Sequence, residues 1–447
     1  MTNSSTSNGS PIETAAKDLI HDWKEHCKLP NKISSYKDLI ERLDNQPTNT
    51  EKKTNTKKKQ KGLERALIHN RDWPNPEIDA DSPTSEDGGA WDQKQKSIAA
   101  QYVNGHQNKL SEDSRLFPNV PQPFMGDIKN PKVVVVTFNP GFHEFVDWVL
   151  GGPYKDEKTM WSAVEEDAKL KLQTFFLRMG YVVDGEVDLD AINAQCERAK
   201  RSWITEQEKL LSAIRGGHHY PFVPWKKNAE KITTCDFLLP SPLNLHGENA
   251  LPWVGGNWHC DYFAKSGDNP NHLRNYVQSE DEKDCSDGIA QVELFPYQSP
   301  KGSDVKKLAP EALNHLEKDP VPWTRPEDHL IPAQVPIFKY LVALFSQVRS
   351  ENSSMSPSRT LVIARGSAAK TAMFKQAILR AGGDEATELK KCVYQLSGQN
   401  SSLTLKNLKT LDGEKILQTD KPSKEDYQKA AIALLGSNAV QTGSRES

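Results

Sequence analysis

Four consecutive valines at residues 133–136 constrain the fold of this chain more than any other feature of its sequence. The run is flanked by polar residues, and the chain then turns sharply at Asn139, Pro140 and Gly141. A short apolar run of β-branched residues between polar flanks is typical of a strand that is buried on both faces. Such strands occur in parallel sheets with helices on both sides, so the run predicts an α/β fold.

Segments with strand and helix patterns alternate along the rest of the chain. Strands are predicted at residues 133–136, 291–295, 360–364 and 392–396, and helices at residues 160–179, 190–214, 335–350, 368–381 and 424–435. This alternation predicts a three-layer α/β/α domain with a central, largely parallel sheet over residues 116–440. Residues 215–290 are rich in Pro, Gly, Trp and His and are predicted to be an insertion that shapes a site, because plain loops are rarely so long.

The first 115 residues are predicted to form a helical N-terminal extension. Its start, residues 1–12, has a composition typical of disorder. Apolar residues recur at helical spacing through residues 13–45. The lysine-rich run at residues 48–62 is interpreted as a solvated linker. The alternative is a tether to a nucleic-acid backbone, because lysine runs bind phosphates by releasing counterions.

Charge and cysteine content exclude several classes of protein. The chain has 447 residues and a formal net charge of −3, so any contact with nucleic acid needs a local basic patch. Its six cysteines form no CxxC pair, which argues against a structural zinc site or a disulfide framework. No apolar run reaches the roughly 18 residues of a membrane span, and the first residues are polar. We therefore expect a cytoplasmic protein without metal, cofactor or membrane contact.

The candidate site residues follow the predicted strands. In open α/β sheets, ligands bind beyond the carboxyl ends of the strands. Polar and glycine-containing segments stand at these ends, at residues 137–144, 296–302, 365–369 and 397–402. We expect a ligand site where these segments meet.

Four segments, in this order, resemble the motifs of the uracil-DNA glycosylase superfamily. PFMGDIKNPKVVVVTFNPG at residues 123–141 is similar to the first motif, most closely in the mismatch-specific and single-strand-selective branches. VELFPYQSPKG at 292–302 resembles the second strand, VIARGSAAKTAMF at 362–374 the late strand and helix, and VYQLSGQNSSLTLKNL at 393–408 the loop that wedges into DNA. The resemblance implies a base-excising enzyme whose partner is DNA.

The resemblance also implies a role for each candidate residue. Asn139 would position the attacking water, and Phe142 or Tyr154 would stack on a flipped base. The candidate base-binding residues are Pro140, Gly141, Phe142, Tyr154 and Tyr297. The candidate DNA-binding residues are Ser397, Gly398, Gln399, Asn400, Ser402 and Lys301. The alternatives are a tight turn at residues 139–141 and an ordinary polar loop at residues 397–400, neither with any chemistry.

Glu293 departs from the family pattern. It stands where the uracil-specific branches keep an Asn that contacts the pyrimidine edge. A carboxylate accepts hydrogen bonds and the amino group of cytosine donates them, so Glu293 would favour a cytosine-like base over uracil. Glu293 is also a candidate catalytic residue, as a general base. The alternative is a strand glutamate that faces solvent.

The last motif departs as well. Gln395 and Leu396 stand where the family has His or Asn followed by Pro, which argues against ordinary uracil excision. The hypothesis that follows is a monofunctional DNA glycosylase, since no lysine stands out as a Schiff-base nucleophile. Its substrate would be a bulky modified cytosine of phage DNA, enclosed by residues 215–290. The alternative is a non-catalytic DNA-binding module on the same fold.

Overall fold

The computed structural model describes most of the sheet and its helices. The described residues are 10–27, 34–38, 41, 120–138, 153–162, 169, 173, 176–177, 180–217, 270–277, 288–296, 322–396 and 403–440. The strands and helices given below belong to these residues.

Six strands form one mixed, mostly parallel sheet. They are β1 (Phe124–Gly126), β2 (Val133–Thr137), β5 (Ile289–Glu293), β6 (Leu361–Ala364), β7 (Val393–Leu396) and β8 (Leu408–Thr410). Their order across the sheet is β1-β5-β2-β6-β7-β8. The four central strands are parallel, and the two edge strands, β1 and β8, are antiparallel to their neighbours. The largely parallel sheet predicted from the sequence is therefore confirmed. A separate hairpin pairs β3 (Val182–Val183) with β4 (Glu186–Val187).

Seven α-helices lie in the described residues. They are α1 (Pro11–His26), α2 (Glu157–Ser162), α3 (Leu189–Gly216), α4 (Gln334–Ser353), α5 (Ala372–Gly382), α6 (Ala386–Lys390) and α7 (Lys424–Leu435). The helices predicted at residues 190–214, 335–350 and 424–435 are confirmed. None of the helices in the described ranges combines the length and apolar character needed to cross a membrane.

Some predicted boundaries differ from the structure. The helix predicted from residue 368 begins at Ala372, because Thr371 is extended and its side chain caps the N–H of Phe374. The strand predicted at 291–295 is Ile289–Glu293, preceded by Gly288 at φ +73°. Of the residues 13–45 predicted to be helical, α1 extends to His26, where the Cys27 N–H bonds to the carbonyl of Trp23, and residues 36–38 and 41 are helical as well. Residues 28–33, 39–40 and 42–45 lie outside the described residues.

The valine run is buried on both faces, as its sequence predicts. All five residues of β2 are buried. Val134 and Val136 belong to a hydrophobic cluster that also contains residues of α1, α4 and α5. Val133 and Val135 belong to a second cluster, which contains residues of α7. Because strand side chains alternate between faces, the two clusters occupy opposite faces of the sheet.

Helix α1 contributes to the main core. Its side chains Leu19 and Trp23 are fully buried in the cluster that contains Val134 and Val136. The helix packs chiefly on α4. Ser10 caps its amino end, and Pro11 occupies its first turn. The division of the chain at residue 115 remains a prediction.

Helix α3 connects two hydrophobic clusters. Its 28 residues span about 42 Å at the usual rise per residue. Near its amino end, Ile192 and Cys196 pack with Met160 and Phe176 in a small third cluster. Near its carboxyl end, Leu210, Leu211 and Ile214 belong to the main core. The helix therefore joins the small cluster to the face of the sheet that α1 and α4 cover.

Candidate functional site

Polar residues stand at the carboxyl ends of three adjacent parallel strands. Thr137 ends β2 and pairs in register with Glu293, which ends β5. Arg365 directly follows β6, and its backbone N–H donates to the carbonyl of Val136 at 2.8 Å. Strand alternation directs Thr137 and Glu293 to the face of the sheet that carries Val135. This edge of the sheet is where ligands of α/β folds bind.

Glu293 is buried. Only 3% of its surface is exposed, so it is not the solvent-facing strand residue that the sequence left as an alternative. Its Oε1 accepts a hydrogen bond from Nε2 of Gln291. Its Oε2 is buried and accepts no hydrogen bond from the described residues. A buried carboxylate oxygen without a donor is costly, which makes this position a functional candidate.

Burial controls the acidity of Glu293. Desolvation raises the pKa of the Glu293 carboxyl to about 7. The neighbouring Thr137 hydroxyl, the hydrogen bond from Gln291 and the positive charge of Arg365 oppose this effect on the pKa. A carboxyl with this pKa exchanges its proton near neutral pH, as a general base requires.

Gln291 and Thr137 join Glu293 in a small polar cluster. Nε2 of Gln291 also donates to Oγ1 of Thr137 at 3.3 Å. The Thr137 hydroxyl in turn reaches the carbonyl of Val292 at 3.3 Å. Thr137 and Arg365 lie in segments that the sequence predicted to meet at the site, although neither was given a role, whereas Gln291 was not predicted. The available signal was two polar residues, Gln291 and Glu293, spaced two apart in an otherwise apolar strand, which directs both to one face.

Tyr154 belongs to neither of the hydrophobic clusters on the faces of the sheet. It is buried in the third hydrophobic cluster, with Met160 and Phe176. Its backbone N–H donates to Oδ1 of Asn193 at 2.8 Å, and Nδ2 of Asn193 donates to its carbonyl at 2.9 Å. Burial raises the pKa of its hydroxyl. These contacts give Tyr154 a structural role in the third cluster, and its stacking on a base remains a prediction.

The other candidate site residues lie outside the described residues. They are Asn139, Pro140, Gly141, Phe142, Tyr297, Lys301, Ser397, Gly398, Gln399, Asn400 and Ser402. The last described residues before them are Phe138, Pro296 and Leu396. These three residues continue or end β2, β5 and β7, so the candidate segments leave the carboxyl ends of three parallel strands.

The side-chain amide of Gln395 is hydrogen-bonded within the sheet region. Its Nε2 donates to the carbonyls of Thr410 and Leu411, at 3.1 and 3.4 Å. Leu396 is buried beside β8, where it pairs with Leu408. Gln395 and Leu396, which stand where the family has His or Asn followed by Pro, therefore both stabilise the edge of the sheet at β8.

No cluster of three or more His, Cys, Asp or Glu side chains suited to a metal ion occurs within the part of the chain that the structure describes. Comparison of the chain with protein-family models, with curated proteins and with solved structures finds no match. The resemblance to the uracil-DNA glycosylase superfamily therefore rests on the motifs alone, and function must be argued from the site.

Proposed function

We propose that this chain is a monofunctional DNA glycosylase, which flips a modified or damaged base out of DNA and hydrolyses its N-glycosidic bond. The observation that carries the proposal is Glu293. It is a buried carboxylate at the carboxyl end of a parallel strand, with one oxygen free of protein donors among the described residues. An ionisable group of this kind, at the ligand-binding edge of an α/β sheet, is a candidate for proton transfer.

The proposed reaction uses water as the nucleophile. Water attacks C1′ of the sugar and gives a proton to Glu293. The bond between C1′ and the base nitrogen breaks, and its electron pair leaves with the base, which then takes a proton from solvent. The pKa of about 7 supports Glu293 in this role. Asn139, which follows Phe138 in the chain, is proposed to hold the water.

The proposed substrate is a modified cytosine, and a bulky one of phage DNA would make the enzyme a defence protein. The free oxygen of Glu293 accepts hydrogen bonds, and the cytosine amino group donates them. The substrate proposal rests on this match and on the length of the segment at residues 215–290. The cytosine amino group and C1′ lie at opposite ends of the base, so contact of this oxygen with the amino group is an alternative to its role as general base.

The finer points of architecture and location belong to the same proposal. We propose a three-layer α/β/α domain, supported by the hydrophobic clusters on both faces of the sheet. We also propose an N-terminal extension before residue 116, DNA as the partner, and a cytoplasmic location.

A second candidate function is a DNA-binding module without catalysis. The observation in its favour is Gln395, whose amide is engaged by the carbonyls of Thr410 and Leu411. The family motif uses this position to stabilise the departing base. A glutamine held in the sheet does not serve that purpose, so the catalytic proposal requires that Glu293 and Asn139 suffice.

Base release from a panel of DNA duplexes tests the proposal. The panel contains uracil, mismatched thymine, hydroxymethylcytosine and glucosylated hydroxymethylcytosine, and it compares wild type with Asn139→Ala and Glu293→Gln. Release by wild type and its loss in both variants is the expected result. Binding of every duplex without release of any base would overturn the glycosylase and favour the binding module.

A further inference from the structure

The middle of strand β5 contains a buried glutamine in an apolar setting. Gln291 is 2% exposed and pairs in register with Val135 of β2. The preceding residue on the same face of the strand, Ile289, belongs to the same hydrophobic cluster as Val135. A buried amide costs free energy unless its hydrogen bonds are made. An apolar side chain would suit this position better if packing were its only role.

The hydrogen bonds of Gln291 point toward Glu293. Its Nε2 has two protons, and the two acceptors in contact with it are Oε1 of Glu293 and Oγ1 of Thr137. The Thr137 hydroxyl can direct its proton to the carbonyl of Val292. Its lone pairs then face Gln291. Thr137 therefore orients the amide so that its nitrogen, rather than its oxygen, meets the carboxylate.

The two carboxylate oxygens of Glu293 differ in their hydrogen bonds. Gln291 lies two residues before Glu293 on one strand, farther from the carboxyl edge of the sheet. Its amide therefore donates to Oε1 from the side of Glu293 that faces away from the carboxyl edge of the sheet. Oε2 accepts no bond from the described residues. The carboxylate is thus fixed through one oxygen, and the other remains an acceptor.

We infer that Gln291 is a positioning residue, which, oriented by Thr137, holds Glu293 through Oε1 and keeps Oε2 as the acceptor for water or substrate. The role of Oε2 in catalysis rests on the proposed function. The positioning itself does not. Since the amide donates to the carboxylate, it stabilises the charged form of Glu293 relative to the neutral form.

The test is a titration of Glu293 in the full chain. Carbon-13 resonances of the glutamate carboxyls are followed against pH, and Glu293→Gln identifies the resonance of Glu293. Gln291→Met keeps a side chain of similar length without its donor. We expect the midpoint of Glu293 to rise by about one pH unit, which is a tenfold change in its acid constant. The pH profile of base release should move in the same direction.

Three further variants keep the inference falsifiable if Gln291→Met does not fold. Gln291→Leu also removes the donor and should raise the midpoint. Thr137→Val should raise it as well, because the hydroxyl lowers the pKa of Glu293 directly besides orienting the amide, whereas Thr137→Ser keeps the hydroxyl and should leave the midpoint unchanged. The matched control is Gln376→Met, which removes another buried glutamine, one whose Oε1 accepts from the backbone of Trp323. It should leave the midpoint of Glu293 unchanged.

The outcomes separate the two proposals. An unchanged midpoint in Gln291→Met and in Thr137→Val would overturn the positioning role and leave Gln291 as a structural residue. A raised midpoint in a protein that releases no base from any duplex would support the positioning role and count against the glycosylase.

Discussion

Thr137 and Glu293 are register partners at the carboxyl ends of two adjacent parallel strands, although 155 residues lie between them in the chain. Beyond this pair, the backbone N–H of Leu294 donates to the carbonyl of Thr137 at 2.9 Å, and that of Phe295 to the carbonyl of Phe138 at 2.8 Å. Strands β2 and β5 therefore stay paired past the site. The backbone of β5 is therefore paired with β2 both before and after Glu293, which fixes the position of Glu293 in the strand.

The burial of Glu293 predicts a dependence of stability on pH. Its pKa is raised from 4.5 to about 7 in the folded protein, so the folded state binds the proton more tightly than the unfolded state. This tighter proton binding stabilises the folded state fully below pH 4.5, and the stabilisation is lost as pH rises to about 7. The loss is on the order of 3 kcal/mol of unfolding free energy.

Urea unfolding of wild type and Glu293→Gln across this pH range measures the effect. The variant has no proton to lose, so it should lack the wild-type decline and should be the more stable protein above pH 7. Parallel stability profiles for the two proteins would contradict the raised pKa.

Gly436 is predicted to tolerate no side chain. It follows α7 at φ +88°, and an added Cβ would overlap the carbonyl oxygen of Pro357. Gly436→Ala should lower the unfolding free energy by roughly 2 kcal/mol or more, because backbone strain and steric overlap add.

Gly413→Ala is the matched control for Gly436→Ala. Gly413 has a similar φ of +94°, with nothing within 4 Å of an added Cβ. Gly413→Ala should lower the unfolding free energy by only about 1 kcal/mol, which is the cost of placing an alanine in a left-handed backbone conformation. Equal losses in the two variants, measured by urea unfolding, would show that the contact with Pro357 does not matter.

Trp23 tests whether α1 is part of the main core. Its side chain is fully buried in the cluster that includes residues of β2, α4 and α5. Trp23→Ala should lower the unfolding free energy by about 3–5 kcal/mol, as expected for a large buried aromatic residue.

Lys17→Ala, on the exposed side of the same helix, is the control and should have no measurable effect. If Trp23→Ala left the unfolding of the sheet unchanged, α1 would be a separable extension rather than a part of the core.

Gln395 is predicted to stabilise the sheet without contributing to base release. Gln395→Met removes its bonds to the carbonyls of Thr410 and Leu411. The expected cost is about 1 kcal/mol of unfolding free energy, because two half-buried acceptors lose a donor. Any base release should keep its rate per folded molecule. A fall in that rate with unchanged stability would instead assign Gln395 to the reaction.

The sequence by itself determined the central strand and most of the helices. The four valines of β2 bury alternate side chains on opposite faces, so an apolar residue at every position already requires a strand covered on both sides. Helices α3, α4 and α7 follow from apolar residues at helical spacing. Glu293 was recognised as a candidate through the resemblance to the uracil-DNA glycosylase superfamily, at the position where the uracil-specific branches keep an Asn.

Only the tertiary structure decided the chemical state of that candidate. The pKa of Glu293 depends on desolvation, and Thr137 and Arg365, which also affect it, reach Glu293 only because β2 pairs with β5 and with β6. The position of α1 in the core is likewise a consequence of packing, since its apolar stripe would suit any partner surface. Periodicity is a local property of a sequence, whereas burial and hydrogen bonding between distant strands are not.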